Sequence, residues 1–203
     1  MFFDLCIGSR PAGAFLYQYS TRSHGKVNGG NALINMHVKC RHLGMAISVF
    51  KALEYKYIIL WTALISGMAM NGHGIHVLQL FSSMLVNEIS PDGVTFLGLL
   101  TACSHAGLVN QGLMFFNAMN KIYQIVPETQ HYACLVDMYG RAGLLEEVEA
   151  FIKEMPTESD GPVWGALLNA CKIHGNKEMV ERSREGPCNS AQVSTGTYAL
   201  LLL

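Results

Sequence analysis

The chain has 203 residues, half of them hydrophobic and 14% charged, with a formal net charge of −1. That composition supports a large buried core and excludes an intrinsically disordered chain, but it lacks the basic excess usual in proteins that bind nucleic acid. A polyanionic partner therefore implies either a locally basic groove or low affinity.

The six cysteines are scattered, form no CxxC pair, and read as small apolar core residues in a reducing compartment. No membrane is implied. The longest apolar run, Ile58–Met70, has 13 residues and is interrupted by Thr62, Ser66 and Gly67, short of the roughly 18 a spanning helix needs. In chain order, the first 26 residues carry Arg10, Arg22 and Lys26 against one acid, Asp4, a faint likeness to an organelle-targeting leader.

From there the chain repeats. Segments starting at Val27, Ile58, Gly93, Thr129 and Gly161 superimpose without internal gaps, at spacings of 31, 35, 36 and 32 residues. Three positions in stand Trp61, Phe96, Tyr132 and Trp164, with Gly30 the exception; six positions in stand Leu33, Leu64, Leu99, Leu135 and Leu167. An aromatic followed by a Leu-Ile-like pair describes one face of an amphipathic helix, so first helices are predicted to begin near Asn31, Thr62, Phe96, Tyr132 and Trp164. At offset 14 come Gly72, Gly107, Gly143 and Gly175, where a glycine ends a helix in the left-handed conformation; Arg41 is the exception. Offsets 23 and 26 are again apolar, as in Phe50 and Leu53 or Phe81 and Met84, and mark a second helix. Pro91-Asp92, Pro127-Glu128 and Ser159-Asp160 join one unit to the next. Helical hairpins that cannot bury their faces alone must stack, and the predicted architecture is an all-α solenoid. The pattern lapses at Arg184 and Pro187, where apolar anchors are expected, so residues 181–194 are predicted to be the least ordered internal stretch.

Catalytic signatures are missing. No histidine is followed by x-Glu, and no phosphate-binding G-x-x-x-x-G-K-[ST] loop or G-x-S-x-G elbow occurs. His73 and His76 lie three apart without a third ligand nearby in sequence. No cofactor is expected.

The stretches WTALISGMAMNGHG, VTFLGLLTACSHAGL and HYACLVDMYGRAGLLEEVEAFIKEMP resemble pentatricopeptide repeats of the plant class in which long, short and ordinary repeats alternate (the PLS class), and VWGALLNACKIHGN resembles the start of the extension motif that follows them. The resemblance implies a right-handed α-solenoid. It divides the chain into 1–26 (a leader, or the tail of a partial long repeat), 27–57 (short), 58–92 (ordinary), 93–128 (long), 129–160 (short) and 161–203 (a truncated extension motif). It further implies sequence-selective binding of single-stranded RNA in a mitochondrion or chloroplast, the mitochondrion slightly favoured. The implied role is that of a non-catalytic specificity adaptor for C-to-U editing, with the deaminase or another editing factor supplied in trans, since the family's H-x-E…C-x-x-C zinc domain has no counterpart in this sequence.

In this family a residue early in the first helix pairs with one at the repeat end to read a base. Carried over, the pairs are Asn31 with Tyr57, Thr62 with Asp92, Leu97 with Glu128, and Ala133 with Asp160. Thr62 with Asp92 is family-typical and implies guanine. Tyr57 departs from the expected Asp, and Leu97 and Ala133 offer no hydrogen bond. Each polar position also has a plainer reading: Thr62 as a hydroxyl serving its own helix, Asp92 as a helix cap. A protein-interaction scaffold built on the same solenoid, and a nonfunctional fragment of a longer protein, are the alternatives.

Overall fold

The structure is a computed structural model that describes residues 25–155 and 161–185. Among these residues it contains ten helices and no strand. Five form an inner layer: α1 (Gly25–Lys39), α3 (Ile58–Met70), α5 (Gly93–Ala106), α7 (Thr129–Arg141) and α9 (Gly161–His174). The intervening α2 (Leu43–Ala52), α4 (Gly74–Val86), α6 (Val109–Lys121), α8 (Leu145–Glu154) and α10 (Lys177–Glu185) form the outer one. The first helices start three or four residues before the predicted points, and six before in α1, because the predicted points stand at offsets 3 and 4, where the repeat pattern first becomes readable. The true first turns precede them. Of the stretch expected to be least ordered, residues 181–185 belong to α10, and the remainder lies outside the described residues.

One turn design closes all five hairpins. A residue in the left-handed region follows each inner helix: Gly72 (φ 78°), Gly107 (68°), Gly143 (78°) and Gly175 (64°). Each is bracketed by a bond reaching back five residues, as in Leu108 N–H to Cys103 O at 2.9 Å and Leu144 N–H to Tyr139 O at 3.1 Å. This is the Schellman closure, which satisfies carbonyls the helix end leaves orphaned. The sequence exception obeys it too: Arg41 has φ 59°, and His42 N–H donates to His37 O at 2.8 Å. A non-glycine residue held there costs about 1–2 kcal/mol. Arg41→Gly should therefore raise stability by about 1 kcal/mol after the glycine's extra unfolded-state entropy is subtracted. Chemical denaturation would show it as a higher midpoint; a lower one would mean that the Arg41 side chain supports the turn.

The aromatics pair between repeats. Phe50 meets Trp61 of the next unit edge-on at 4.6 Å, Phe81 meets Phe96 at 6.1 Å, and Phe116 meets Tyr132 at 5.4 Å. In three of the outer helices, α2, α4 and α6, the offset-23 phenylalanine thus packs on the offset-3 aromatic one unit on. Edge-to-face pairs at such separations add about 0.5–1.5 kcal/mol beyond the area they bury. These joints, repeated, convert hairpins into a solenoid.

Inner helices pack directly on one another along the series, whereas each outer helix packs on its own inner helix and the next. Small residues set the inner spacing: a Cβ on Gly98 would lie 2.8 Å from Ile65 Cγ2, and one on Gly67 would lie 2.5 Å from both Val38 methyls. Closer packing on one side of a two-layer stack curves it, placing the inner helices on the concave face. The inner helices also run parallel and in register. At their N-terminal ends, Glu128 N–H donates to His131 Nδ1 at 3.0 Å, so Nε2 carries the proton and donates to Gly93 O at 2.9 Å. At their C-terminal ends, His105 Nδ1 donates to Ala69 O at 3.1 Å and His174 Nε2 to Gly140 O at 2.7 Å. Each joint fixes one helix end on its neighbour.

Candidate nucleic-acid interface

The inner helices bury offsets 3, 6 and 7 in the core: Trp61, Leu64 and Ile65 in α3, and Phe96, Leu99 and Leu100 in α5. The opposite face carries offsets 1, 4 and 8, a spacing that holds one side of a helix. Offset 1 supplies exposed β-branched residues, Ile59 and Val94. Offset 8 is polar in every unit, through Asn35, Ser66, Thr101, Asp137 and Asn169, and none of these is fully buried. This polar row was missed in the sequence because its members differ in identity while the alignment was read through its apolar positions. Constant polarity at one offset was the available signal.

The predicted reading residues fall as follows. Asn31 and Thr62 occupy equivalent positions on α1 and α3. Asn31 is half-buried, its Oδ1 accepting from Asn35 Nδ2 at 3.0 Å, which ties offset 4 to offset 8. Thr62 is only 7% exposed, and its hydroxyl donates to Ile58 O and Ile59 O, both at 3.1 Å. With its proton committed to its own helix, Thr62 can meet a base only as an acceptor. Leu97 and Ala133 are half-buried.

Asp92 is the N-cap of α5, the helix packed beside α3. Its Oδ1 accepts from Thr95 N–H and from Thr95 Oγ1, each at 2.8 Å, while its own N–H donates to Thr95 Oγ1 at 3.3 Å. Both side-chain bonds end on Oδ1, so Oδ2 remains uncommitted. Capping and base contact are thus compatible in one carboxylate. Tyr57 and Glu128 are the N-caps of α3 and α7. Asp160 lies outside the described residues.

Charge separates between the layers. The inner helices hold Lys39, Arg141 and Lys172 against a single acid, Asp137, and two further acids, Asp92 and Glu128, cap the starts of α5 and α7. The outer helices hold six lysines and arginines against seven glutamates. The inner-layer cations thus stand near the C-terminal ends of α1, α7 and α9, away from the acids that cap the starts of α5 and α7. The acid within an inner helix is already engaged: Asp137 Oδ2 accepts from Ser104 Oγ at 2.5 Å and from Arg141 Nε at 2.8 Å. That contact uses Nε and leaves both Nη groups of Arg141 for another acceptor, the geometry suited to phosphate oxygens.

Of the six cysteines read as core residues, Cys103 and Cys171 are buried and Cys134 is half-buried, whereas Cys40 is exposed at the end of the first hairpin's inner helix, and Cys6 and Cys188 lie outside the described residues. Burial pushes the Cys103 thiol up to about 11, and burial also raises Cys134, beside Thr101 Oγ1. Both stay protonated at neutral pH and are poor nucleophiles. His73 and His76 stack edge-on at 5.6 Å, and among the described residues no three His, Cys, Asp or Glu side chains converge as metal ligands would. No helix among them is long and apolar enough to cross a membrane.

The comparisons agree with this architecture. The profile of the PPR repeat matches residues 31–58, 59–89, 94–122 and 131–159. A pentatricopeptide repeat-containing protein of Arabidopsis thaliana is 41% identical over 181 residues, covering 88% of this chain and 29% of its own length. Another, named as mitochondrial, is 35% identical over 197 residues (96% of this chain, 29% of the relative), and one named as chloroplastic is 42% identical over 172 residues (85% and 32%). The chain thus spans about a third or less of these relatives. Among solved structures, the maize pentatricopeptide repeat protein PPR10 superimposes with a TM-score of 0.70 at 17% identity, covering 94% of this chain and 28% of that one. The PPR domain of Arabidopsis thaliana protein-only RNase P 1, solved with tRNA, superimposes with a TM-score of 0.60 at 18% identity, covering 83% and 93%. With four repeat matches laid over stacked helical hairpins, this chain belongs to the pentatricopeptide repeat family.

Proposed function

We propose that the chain binds single-stranded RNA along its concave layer and serves as a specificity module in organellar RNA metabolism. The observation that carries this reading is the placement of cations: Lys39, Arg141 and Lys172 all stand near the C-terminal ends of inner helices, in a chain whose total charge is −1. Phosphate neutralisation supplies the sequence-independent part of affinity, and the uncommitted Oδ2 of Asp92 at the start of an inner helix supplies a base-edge contact. The exposed Ile59 and Val94 offer apolar surface beside the faces of unstacked bases. Similarity to PPR10, which has been solved with an 18-nt psaJ RNA element, supports the same reading.

The finer assignment keeps the alternation of long, short and ordinary repeats, with a C-terminal extension motif from residue 161. In it the chain is a non-catalytic adaptor for C-to-U editing, Asn31, Thr62, Asp92 and Asp160 read bases, and a deaminase or editing factor acts in trans. The organelle is a mitochondrion or a chloroplast, the former slightly favoured by the same class resemblance. Crosslinking from both intact organelles, followed by sequencing of the attached RNA, tests it. Recovered fragments sharing a short sequence beside an edited cytidine support the adaptor; recovery of protein contacts without RNA would replace it with an interaction scaffold.

A further inference from the structure

The linker between the first two repeats differs from those that follow. Where later joints carry Ser90-Pro91-Asp92 and Val126-Pro127-Glu128, this one carries Tyr55-Lys56-Tyr57. Proline and a capping acid suit a helix start, so the replacement gives up a local advantage: Tyr57 is the N-cap of α3 and makes no side-chain capping bond, whereas the Asp92 carboxylate accepts from Thr95 N–H. The two tyrosines are also displayed rather than buried, Tyr55 being 65% exposed and Tyr57 50%. Lys56 between them is anchored, its Nζ donating to Leu53 O at 3.0 Å and sitting 5.6 Å from the centre of the Phe50 ring. With Glu54 the three residues line an open groove of about 580 Å³, to which Asn87, Glu88 and Ser90 of the next linker also contribute; its two carboxylates leave the tyrosine rings, rather than charge, as the binding surface. Glu88 holds a left-handed backbone (φ 59°) at that rim. The groove adjoins Ile58, the first residue of α3, at the end of the inner layer where Thr62 and Asp92 lie.

We propose that this groove is a base-stacking site: a nucleobase of the bound single strand lies against Tyr55 or Tyr57 as the RNA passes the edge of the concave layer. The proposal rests on the RNA-binding reading above and deepens it. Aromatic rings interleaved with a cation are the pattern by which proteins hold unpaired bases, and the volume suits one nucleotide. Every base has a π-face, so the site contributes affinity without choosing sequence, in contrast to the carboxylate of Asp92. Tyr57 thereby takes a different role from the repeat-end acid it replaces, exchanging a hydrogen bond to a base edge for contact with a base face.

The test is a titration of the full chain and its Tyr55→Ala, Tyr55→Phe, Tyr57→Ala and Tyr57→Phe variants with single-stranded RNAs of varied sequence at low salt. The expected result is a loss of affinity of about ten-fold for at least one alanine variant, equal across sequences, with phenylalanine restoring it. Circular dichroism melts of the variants, expected to match the parent because both side chains are exposed, separate this from misfolding. Tight binding by the parent with unchanged affinity in both alanine variants overturns the stacking site alone and leaves the tyrosines to a protein contact. Absence of RNA binding by the parent overturns both readings.

Discussion

Gly140→Val lowers the stability of this chain by about 3 kcal/mol. Gly140 is buried in α7 where that helix meets α9, and any Cβ there would overlap the methyl of Ala170 and reach within 3.6 Å of its Cα. The obstacle is the root of a helix, not the end of a flexible side chain, so the two helices must separate. Separation stretches the 2.7 Å bond from His174 Nε2 to Gly140 O and loosens the cluster around Val136, Trp164 and Leu167. In a solenoid, stability is close to a sum of repeat and nearest-neighbour terms, so the damage stays at this joint and the C-terminal unit uncouples first. Gly165→Ala is the control, one helix away. Nothing lies within 4 Å of a Cβ there, so gaining a better helix former should stabilise by about 0.5–1 kcal/mol. Urea unfolding of the two variants should move the midpoint in opposite directions; shifts of the same sign would mean that the α7–α9 contact is not set by glycine.

The hairpin architecture was legible because its signals are local. The offset-14 glycines and the offset-3 aromatics, each present in four of five units, and the offset-23 phenylalanines, present in three, each reflect one recurring steric requirement. Arg41 broke the glycine rule in the sequence yet keeps the same left-handed turn in the structure, because the flanking helices impose the turn. Helix starts were placed late because the first turns carry caps and exposed residues such as Ile59 and Val94, which have no apolar periodicity to read.

The interface was less legible, for two reasons. A total charge of −1 conceals the cations at the C-terminal ends of the inner helices, since charges can be assigned to layers only once the helices are known. The role of Thr62 also depends on a hydroxyl rotor: the sequence allowed a free donor, whereas the proton is held by Ile58 O and Ile59 O. Asp92 was read either as a cap or as a base contact, and its two oxygens leave room for both.

That division of labour makes Asp92→Asn a direct probe. Asparagine is as good an N-cap as aspartate, so the variant should fold with unchanged stability. Thr95 donates from both N–H and Oγ1 to Oδ1, which requires the amide oxygen of the variant in that position and turns its Nδ2 to where Oδ2 stands. An acceptor is thereby exchanged for a donor at one point on the surface. A carboxylate oxygen suits the N1–H and N2–H donors of guanine, whereas an amide can donate to N1 of adenine. The preference at one nucleotide should move from guanine towards adenine by about 1 kcal/mol, the net worth of one hydrogen bond, and up to about 3 kcal/mol for a fully formed contact. The deciding measurement is a binding titration of the parent and Asp92→Asn on single-stranded RNAs varied one base at a time. The account predicts a change of preference confined to one position, with binding at the others unaltered. An equal change for all four bases at every position would contradict it and reduce Asp92 to a helix cap.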